Sequence, residues 1–271
     1  MRRQAKRQPK AEGQAAHARS GPTRVGLARA LSKLGYCSRS TARRLIAEGR
    51  VRVDGKVKRD PEAPVRWQRQ LIEVDGQLVT SSQRVYLMLH KPRGLVTTAA
   101  DERQRGTVYD CLAGARLPFV SPVGRLDKES EGLLLFTNDH DWAAGLLAPE
   151  SKVRRTYRVE VQGKISPEHL RLMEHGVGTA RGDVLAVRRV RLLARRNEGA
   201  LLELVLEEGK NRHVRRLLAA LGLKVMRLVR VGFGPLQLGN LKPGEWRYLE
   251  RLEVQKLTMA IAPRLRQHYS G

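Results

Sequence analysis

The sequence predicts an α+β protein in two units, a small basic one ahead of a larger one. Residues 25 to 79 place apolar side chains at helical spacing twice and then carry two Asp-Gly hairpin signals. From residue 84 onward, apolar or alternating runs that read as strands are interleaved with amphipathic stretches that read as helices. A chain of 271 residues with 41% hydrophobic content is long enough for two units with real cores.

The elements follow in chain order. Residues 1 to 24 carry Arg2, Arg3, Lys6, Arg7, Lys10, Arg19 and Arg24 against the single acid Glu12, with no apolar periodicity, and are expected to be a disordered basic tail. Leu27, Ala30, Leu31 and Leu34 mark a first helix that stops at Gly35. Ser38 or Ser40 can cap a second, with Ala42, Leu45 and Ile46 as its apolar stripe and Gly49 as its end. Arg39, Arg43 and Arg44 fall away from the centre of that stripe, and Arg50 and Arg52 follow. VRVDGKV and IEVDGQLV each read as strand, turn, strand. This first unit is expected to span 25–82, and the short polar stretch 80 to 84 reads as a mobile linker.

The second unit is expected over 84–257. VYLMLHKPRG reads as a buried strand closed by Pro92 and Gly94, and a short helix is expected from Thr107 to Leu112. Leu133 to Phe136 read as a buried strand, followed by a helix through Leu147 that Pro149 breaks. In TYRVEV the residues Tyr157, Val159 and Val161 share one strand face. In EEGKNRHVRRLLAALG, Val214, Leu217, Leu218 and Leu221 mark a helix that Asn211 can cap and Gly222 ends.

Composition narrows the partner. Lys plus Arg total 52 against 27 Asp plus Glu, a formal charge of +25, which predicts strong, salt-sensitive attraction to a polyanion. No run of about 18 apolar residues exists and no apolar segment follows the basic start, so neither a membrane span nor a secretory signal is supported. Cys37 and Cys111 lie far apart without metal-ligand spacing, which fits a reducing cytoplasm and argues against a zinc site. Gly209-Lys210 lacks the rest of a phosphate loop. Asp139, His140 and Asp141 are adjacent, and neighbouring residues fan apart instead of converging on one ion.

SPVGRLDKESEGLLLFTND, residues 121 to 139, is the most informative stretch. It sets Asp127 between Arg125 and Lys128 in a glycine-bracketed loop ahead of the buried strand. A carboxylate presented in this way suits a nucleophile, and it equally suits an ion-paired loop aspartate.

GRLDKESEGLLLFTND resembles the signature loop of bacterial ribosomal RNA pseudouridine synthases of the RsuA and RluB branch, with Ser130 in its Ser/Thr place. The resemblance implies that Asp127 is the catalytic nucleophile. KPRG at 91 to 94 matches the family's opening motif, a structural support for that loop. The family has a tyrosine after the loop lying against the target base, which maps onto Tyr157. GKNRHVRR resembles the motif whose basic side chain approaches the aspartate; this implies Arg215 in that role, with Arg212 as runner-up and His213 in place of the commoner glutamine. Arg125 is left to hold the opened RNA. SRSTARRLIAEGRVRVDGKV resembles the S-four-like RNA-binding module, which implies RNA contact at Arg39, Arg43, Arg44, Arg50 and Lys56. RLVRVGFGPLQLGNLKPGEWRYL resembles the family's terminal segment and extends the match from about residue 25 to 250.

The fold so implied is an S-four-like module followed by a catalytic domain on a mixed, mainly antiparallel sheet, with Asp127 in a cleft across it. The reaction implied is isomerisation of uridine to pseudouridine in ribosomal RNA, large-subunit RNA ahead of small-subunit RNA, with no cofactor and no metal. The expected partner is ribosomal RNA or a ribosomal precursor particle, met by a cytoplasmic monomer. The alternative from another class is a non-catalytic RNA-binding factor for ribosome assembly.

Overall fold

A computed structural model describes residues 24–99 and 105–261. The basic tail expected over 1 to 24 lies outside the described residues except for Arg24.

The first unit forms as its pattern requires. Helices span Leu27–Lys33 and Arg39–Ala47, and the Ser38 hydroxyl caps the second by accepting from the Thr41 amide at 3.1 Å. Their apolar stripes close on Val51, Val53, Ile72 and Val74 to make one small core. Those residues lie in a four-stranded antiparallel sheet ordered Lys56–Lys58, Val51–Val53, Ile72–Val74, Gln77–Leu78. Its two turns put Asp54 and Gly55 at φ 49° and 76°, and Asp75 and Gly76 at 52° and 77°, the left-handed pair that lets a two-residue turn follow the strand twist.

The larger unit is built on one mixed sheet. Its strands run in the order Arg189–Arg196, Gly199–Leu206, Arg155–Gln162, Lys224–Phe233, Glu131–Thr137, Tyr86–Lys91, Trp246–Tyr248. All these neighbours are antiparallel except Lys224–Phe233 against Glu131–Thr137, a parallel pairing of two registers, Val229 with Glu131 and Arg230 with Gly132. That join unites two halves with separate cores. Helices Pro167–His175 and His213–Ala220 cover one half, and His140–Leu147 and Arg251–Met259 cover the other.

Glu131–Thr137 is buried at every position because both its faces are covered: Leu133 and Leu135 enter one core, Leu134 and Phe136 another. Full burial stabilises each of these side chains by about 2 kcal/mol. The close approach beside it needs a glycine. Gly132 has φ 107°, and a Cβ there would collide with the backbone of Arg230.

Three expectations are corrected. The helix expected from Thr107 to Leu112 is a single 3-10 turn, Asp110–Leu112. Asn211 does not cap the last-named motif's helix; that helix starts at His213 behind Arg212, whose φ of 49° turns the chain without any side-chain cap. The linker expected to be mobile is tied down by Asn138. Its amide donates to Ser82 Oγ at 3.1 Å and the Gln83 carbonyl at 2.7 Å, and its Oδ1 accepts from the Val85 amide at 2.8 Å. Lys33 pairs with Asp141 at 3.3 Å, and the Phe119 amide donates to the Gly35 carbonyl at 2.9 Å, so the small unit is docked on the large one. Short polar segments read as mobile only when no distant residue satisfies them. Among the described residues no helix is long and apolar enough to cross a membrane.

Lys91 ends the strand Tyr86–Lys91 with no exposed surface. Its Nζ donates to the carbonyls of Pro92 at 3.0 Å, Lys128 at 3.4 Å and Ser130 at 2.8 Å, fastening the segment that follows Asp127. Burial pulls the ammonium down to about 8, opposed by the charges of Glu131 and Asp127.

Gly132→Ala should destabilise the protein by about 3 kcal/mol in a denaturant melt, from the strained φ and the enforced separation of the central strands. For Lys91, the folded protein gives up its proton near pH 8 while the unfolded chain holds it to about 10.4. Between those values the unfolded state binds more protons, so wild-type stability rises with pH there. Relative to Lys91→Met, the wild type should gain stability from about pH 8 to 10 and show a constant difference below about pH 7.

Candidate active site

Asp127 is carried by a loop that hydrogen bonds hold from both sides. Val123 and Leu126 are buried anchors. Thr97 Oγ1 donates to the Leu126 carbonyl at 2.8 Å, the Gly94 amide donates to the Lys128 carbonyl at 2.8 Å, and the Ser130 amide closes a turn onto the Asp127 carbonyl at 3.0 Å. The Asp127 side chain, 33% exposed, opens into a cavity of about 270 Å³.

The cavity brings together residues far apart in the chain. Arg125, Asp127, Tyr157, Arg212 and Arg215 all line it. Tyr157 is half-buried and reaches the cavity from the strand Arg155–Gln162, beyond the core positions Val159 and Val161 on the same face. Arg125 is exposed and makes no hydrogen bond or ion pair with any described residue.

The pairing of Asp127 differs from the expected one. Arg212 Nη1 lies 4.0 Å from Asp127 Oδ2, whereas Arg215 Nη2 donates to the Glu129 carbonyl at 2.8 Å. The left-handed backbone of Arg212 swings it toward the carboxylate, and the helix puts Arg215 one turn deeper, under the loop. Burial lowers the Arg215 guanidinium below its ordinary value, Arg212 adds to the shift, and Asp127 opposes it. Arg215 therefore steadies the loop and acts on the carboxylate only through space. His213 is structural: it is buried, and its Nε2 donates to the Ala186 carbonyl at 2.9 Å, which assigns the neutral tautomer protonated there. Burial pulls its pKa down, which keeps it neutral.

The basic residues expected to bind RNA from the small unit do not join the cavity. Arg39, Arg43, Arg44, Arg50 and Lys56 are exposed on the small unit. Arg43 pairs with Glu62 at 3.0 Å and Arg44 with Glu48 at 3.2 Å, exposed contacts worth about 0 to 1 kcal/mol that RNA can displace. Arg50 grips Asp75 with two bonds, at 2.8 and 2.6 Å, and is the least free of the five.

Two lining arginines were not expected from the sequence: Arg155 and Arg230. A signal for each existed. Arg155 stands two residues before Tyr157 and so shares its face, and Arg230 stands two residues after the buried Leu228 and so is in phase with it.

Comparison with known proteins identifies the family. The RNA pseudouridylate synthase family matches residues 85–220 and the S4 domain family matches residues 25–66. An uncharacterized RNA pseudouridine synthase of Rickettsia typhi is 38% identical over 234 residues, 85% of this chain and 94% of that protein. The ribosomal large subunit pseudouridine synthase B of Bacillus subtilis is 36% identical over 233 residues, 85% of this chain and 94% of its own length. A crystal structure of a pseudouridylate synthase superposes with a TM-score of 0.60 at 25% identity, covering 86% of this chain and 99% of that one. With its S4 domain, its mixed catalytic sheet and relatives of this likeness along most of its length, the chain belongs to the RsuA and RluB type of the RNA pseudouridine synthase family.

Proposed function

We propose that this enzyme converts a specific uridine of large-subunit ribosomal RNA to pseudouridine, with Asp127 as the nucleophile. One observation carries the reading: three separate stretches of chain deliver a loop carboxylate, a tyrosine and an arginine into one cavity. The name of the Bacillus subtilis relative, 36% identical over most of both chains, supports the large subunit as the target. The RNA-binding unit is taken as residues 25–82 and the catalytic unit as 84–257, working as a monomer in the cytoplasm.

The geometry supports a sequence of steps. A uridine must leave its stack, at a cost of a few kcal/mol, before any group of the protein reaches it. Arg125, exposed at the mouth and unpaired among the described residues, holds the opened RNA. Tyr157 offers its ring face to the base, a contact worth about 1 to 3 kcal/mol in single-strand binding proteins. Asp127 then attacks, the bond from ribose to the ring nitrogen breaks, the base turns, a ring carbon joins the ribose as the bond to Asp127 is released, and the proton that this carbon loses is balanced by the one that the freed ring nitrogen gains. Arg212 orients the carboxylate while Arg215 and Lys91 fix the loop that bears it. No electrons or external groups enter or leave, so the reaction is balanced without a cofactor. On the small unit, Arg39, Arg43, Arg44, Arg50 and Lys56 supply a basic face for structured RNA.

Asp127→Asn should reduce pseudouridine formation below about a thousandth of the wild-type rate while RNA affinity stays within about threefold. Turnover near wild type, read by mapping pseudouridine in ribosomal RNA, would move the nucleophile elsewhere. Reversing both charges in Arg43→Glu/Arg44→Glu should weaken RNA binding by about tenfold or more without changing the rate at saturating RNA. Unchanged affinity would remove the basic face from the binding surface.

A further inference from the structure

Two of the cleft's cations are built into the sheet. Arg155 opens its strand opposite Phe233, and Tyr157, two residues on, pairs with Arg230 across the same ladder. Both guanidinium groups lie 5.5 Å from the centroid of the Phe233 ring. Arg230 is 3% exposed; its Nε donates to the Leu133 carbonyl at 2.7 Å, and its buried Nη2 has no partner. Arg155 Nη1 donates to the carbonyls of Val153 at 3.0 Å and Glu207 at 2.9 Å.

Neither guanidinium meets a carboxylate among the described residues. The Glu207 carboxylate is engaged by Arg154 and Arg188, that of Glu208 by Lys210, and Asp127 stands nearest Arg212. Burial holds Arg155 below the ordinary arginine value; Tyr157 opposes this, and the charge of Arg230 adds to it. Two like charges drawn out of water against one aromatic ring are unfavourable without a counter-ion. Carbonyl oxygens satisfy donors and leave the charge in place. An anion removes both deficits, and the planar donor fork of arginine matches the oxygens of a phosphate.

We propose that Arg155 and Arg230 form a phosphate subsite of the Asp127 cleft, which takes a phosphodiester of the RNA strand beside the target uridine. The subsite rests on reading the cleft as the uridine pocket and adds how the extruded nucleotide is held. Tyr157, between the two arginines in this arrangement, receives the base while the backbone is anchored next to it. The neutral carbonyls of uracil would leave both charges uncompensated, which is why the phosphate is the better occupant.

The test uses the full chain and ribosomal RNA from cells lacking the protein, with Arg155→Gln and Arg155→Lys chosen because Arg155 is only half-buried at a strand end. Affinity is measured against salt, KM and kcat are measured separately, and melts check folding. Losing one phosphate contact should flatten the slope of log affinity against log salt by about 0.7 to 0.9 in Arg155→Gln. KM should rise about tenfold with kcat within about threefold. Arg155→Lys should restore the slope. An unchanged slope in a folded Arg155→Gln protein, or a loss confined to kcat, overturns the subsite. If Arg155→Gln does not fold, wild-type protein decides: uridine monophosphates should compete for RNA at least about fivefold better than uridine, and equal competition overturns the subsite. A wild type that forms no pseudouridine refutes the uridine-pocket reading instead, while the salt slopes, which need no turnover, still judge the phosphate contact.

Discussion

The close approach of Gly132 to Arg230 is the constraint on which the molecule depends. Among the described residues it is the single place where strands of the two halves of the catalytic sheet pair, through two parallel registers. Each half has its own helices, and at the join Phe233 from one half enters the core built around Leu133 and Leu135 of the other. Asp127 comes from one half, five residues ahead of Gly132, and Tyr157, Arg212 and Arg215 come from the other. The cleft is the space left where the halves meet. A larger residue at 132 would part them and change every distance across the site.

Lys91 supports the join from beneath. A fully buried ammonium is unfavourable in itself, yet all three of its protons find carbonyl oxygens, two of them in the segment just after Asp127. The loop is thereby fastened by its backbone, and its acidic side chain remains available to the cleft. Arg215 does the same from the opposite wall through the Glu129 carbonyl. Two cations are spent on holding the loop's main chain, and a third, Arg212, faces the carboxylate itself.

Much of this was legible in the sequence wherever short-range pattern decides. The helices of the small unit, its Asp-Gly turns, the doubly covered strand and the helix after Asp139 all form where spacing places them. The site was legible in its parts, since Asp127, Tyr157, Arg125 and the two motif arginines do converge. What sequence did not disclose depends on long-range pairing. The choice between Arg212 and Arg215 turns on one left-handed residue, and the meeting of Arg155 with Arg230 turns on strand neighbours about seventy residues apart. The docking of the small unit was hidden for a related reason. Asn138 looks like an ordinary turn residue, and only the fold shows its amide filling the needs of a linker more than fifty positions earlier.

That amide has a geometric meaning. Asn138 stands just beyond one end of the strand Glu131–Thr137, and the Asp127 loop runs into the other. Seven residues of strand at about 3.3 Å each make a rigid rod of about 23 Å between the anchorage of the small unit and the start of the loop. The strand is then a ruler as well as a core element. Because that strand is covered on both faces, the distance from the small unit's anchorage to the Asp127 loop is set by the fold itself.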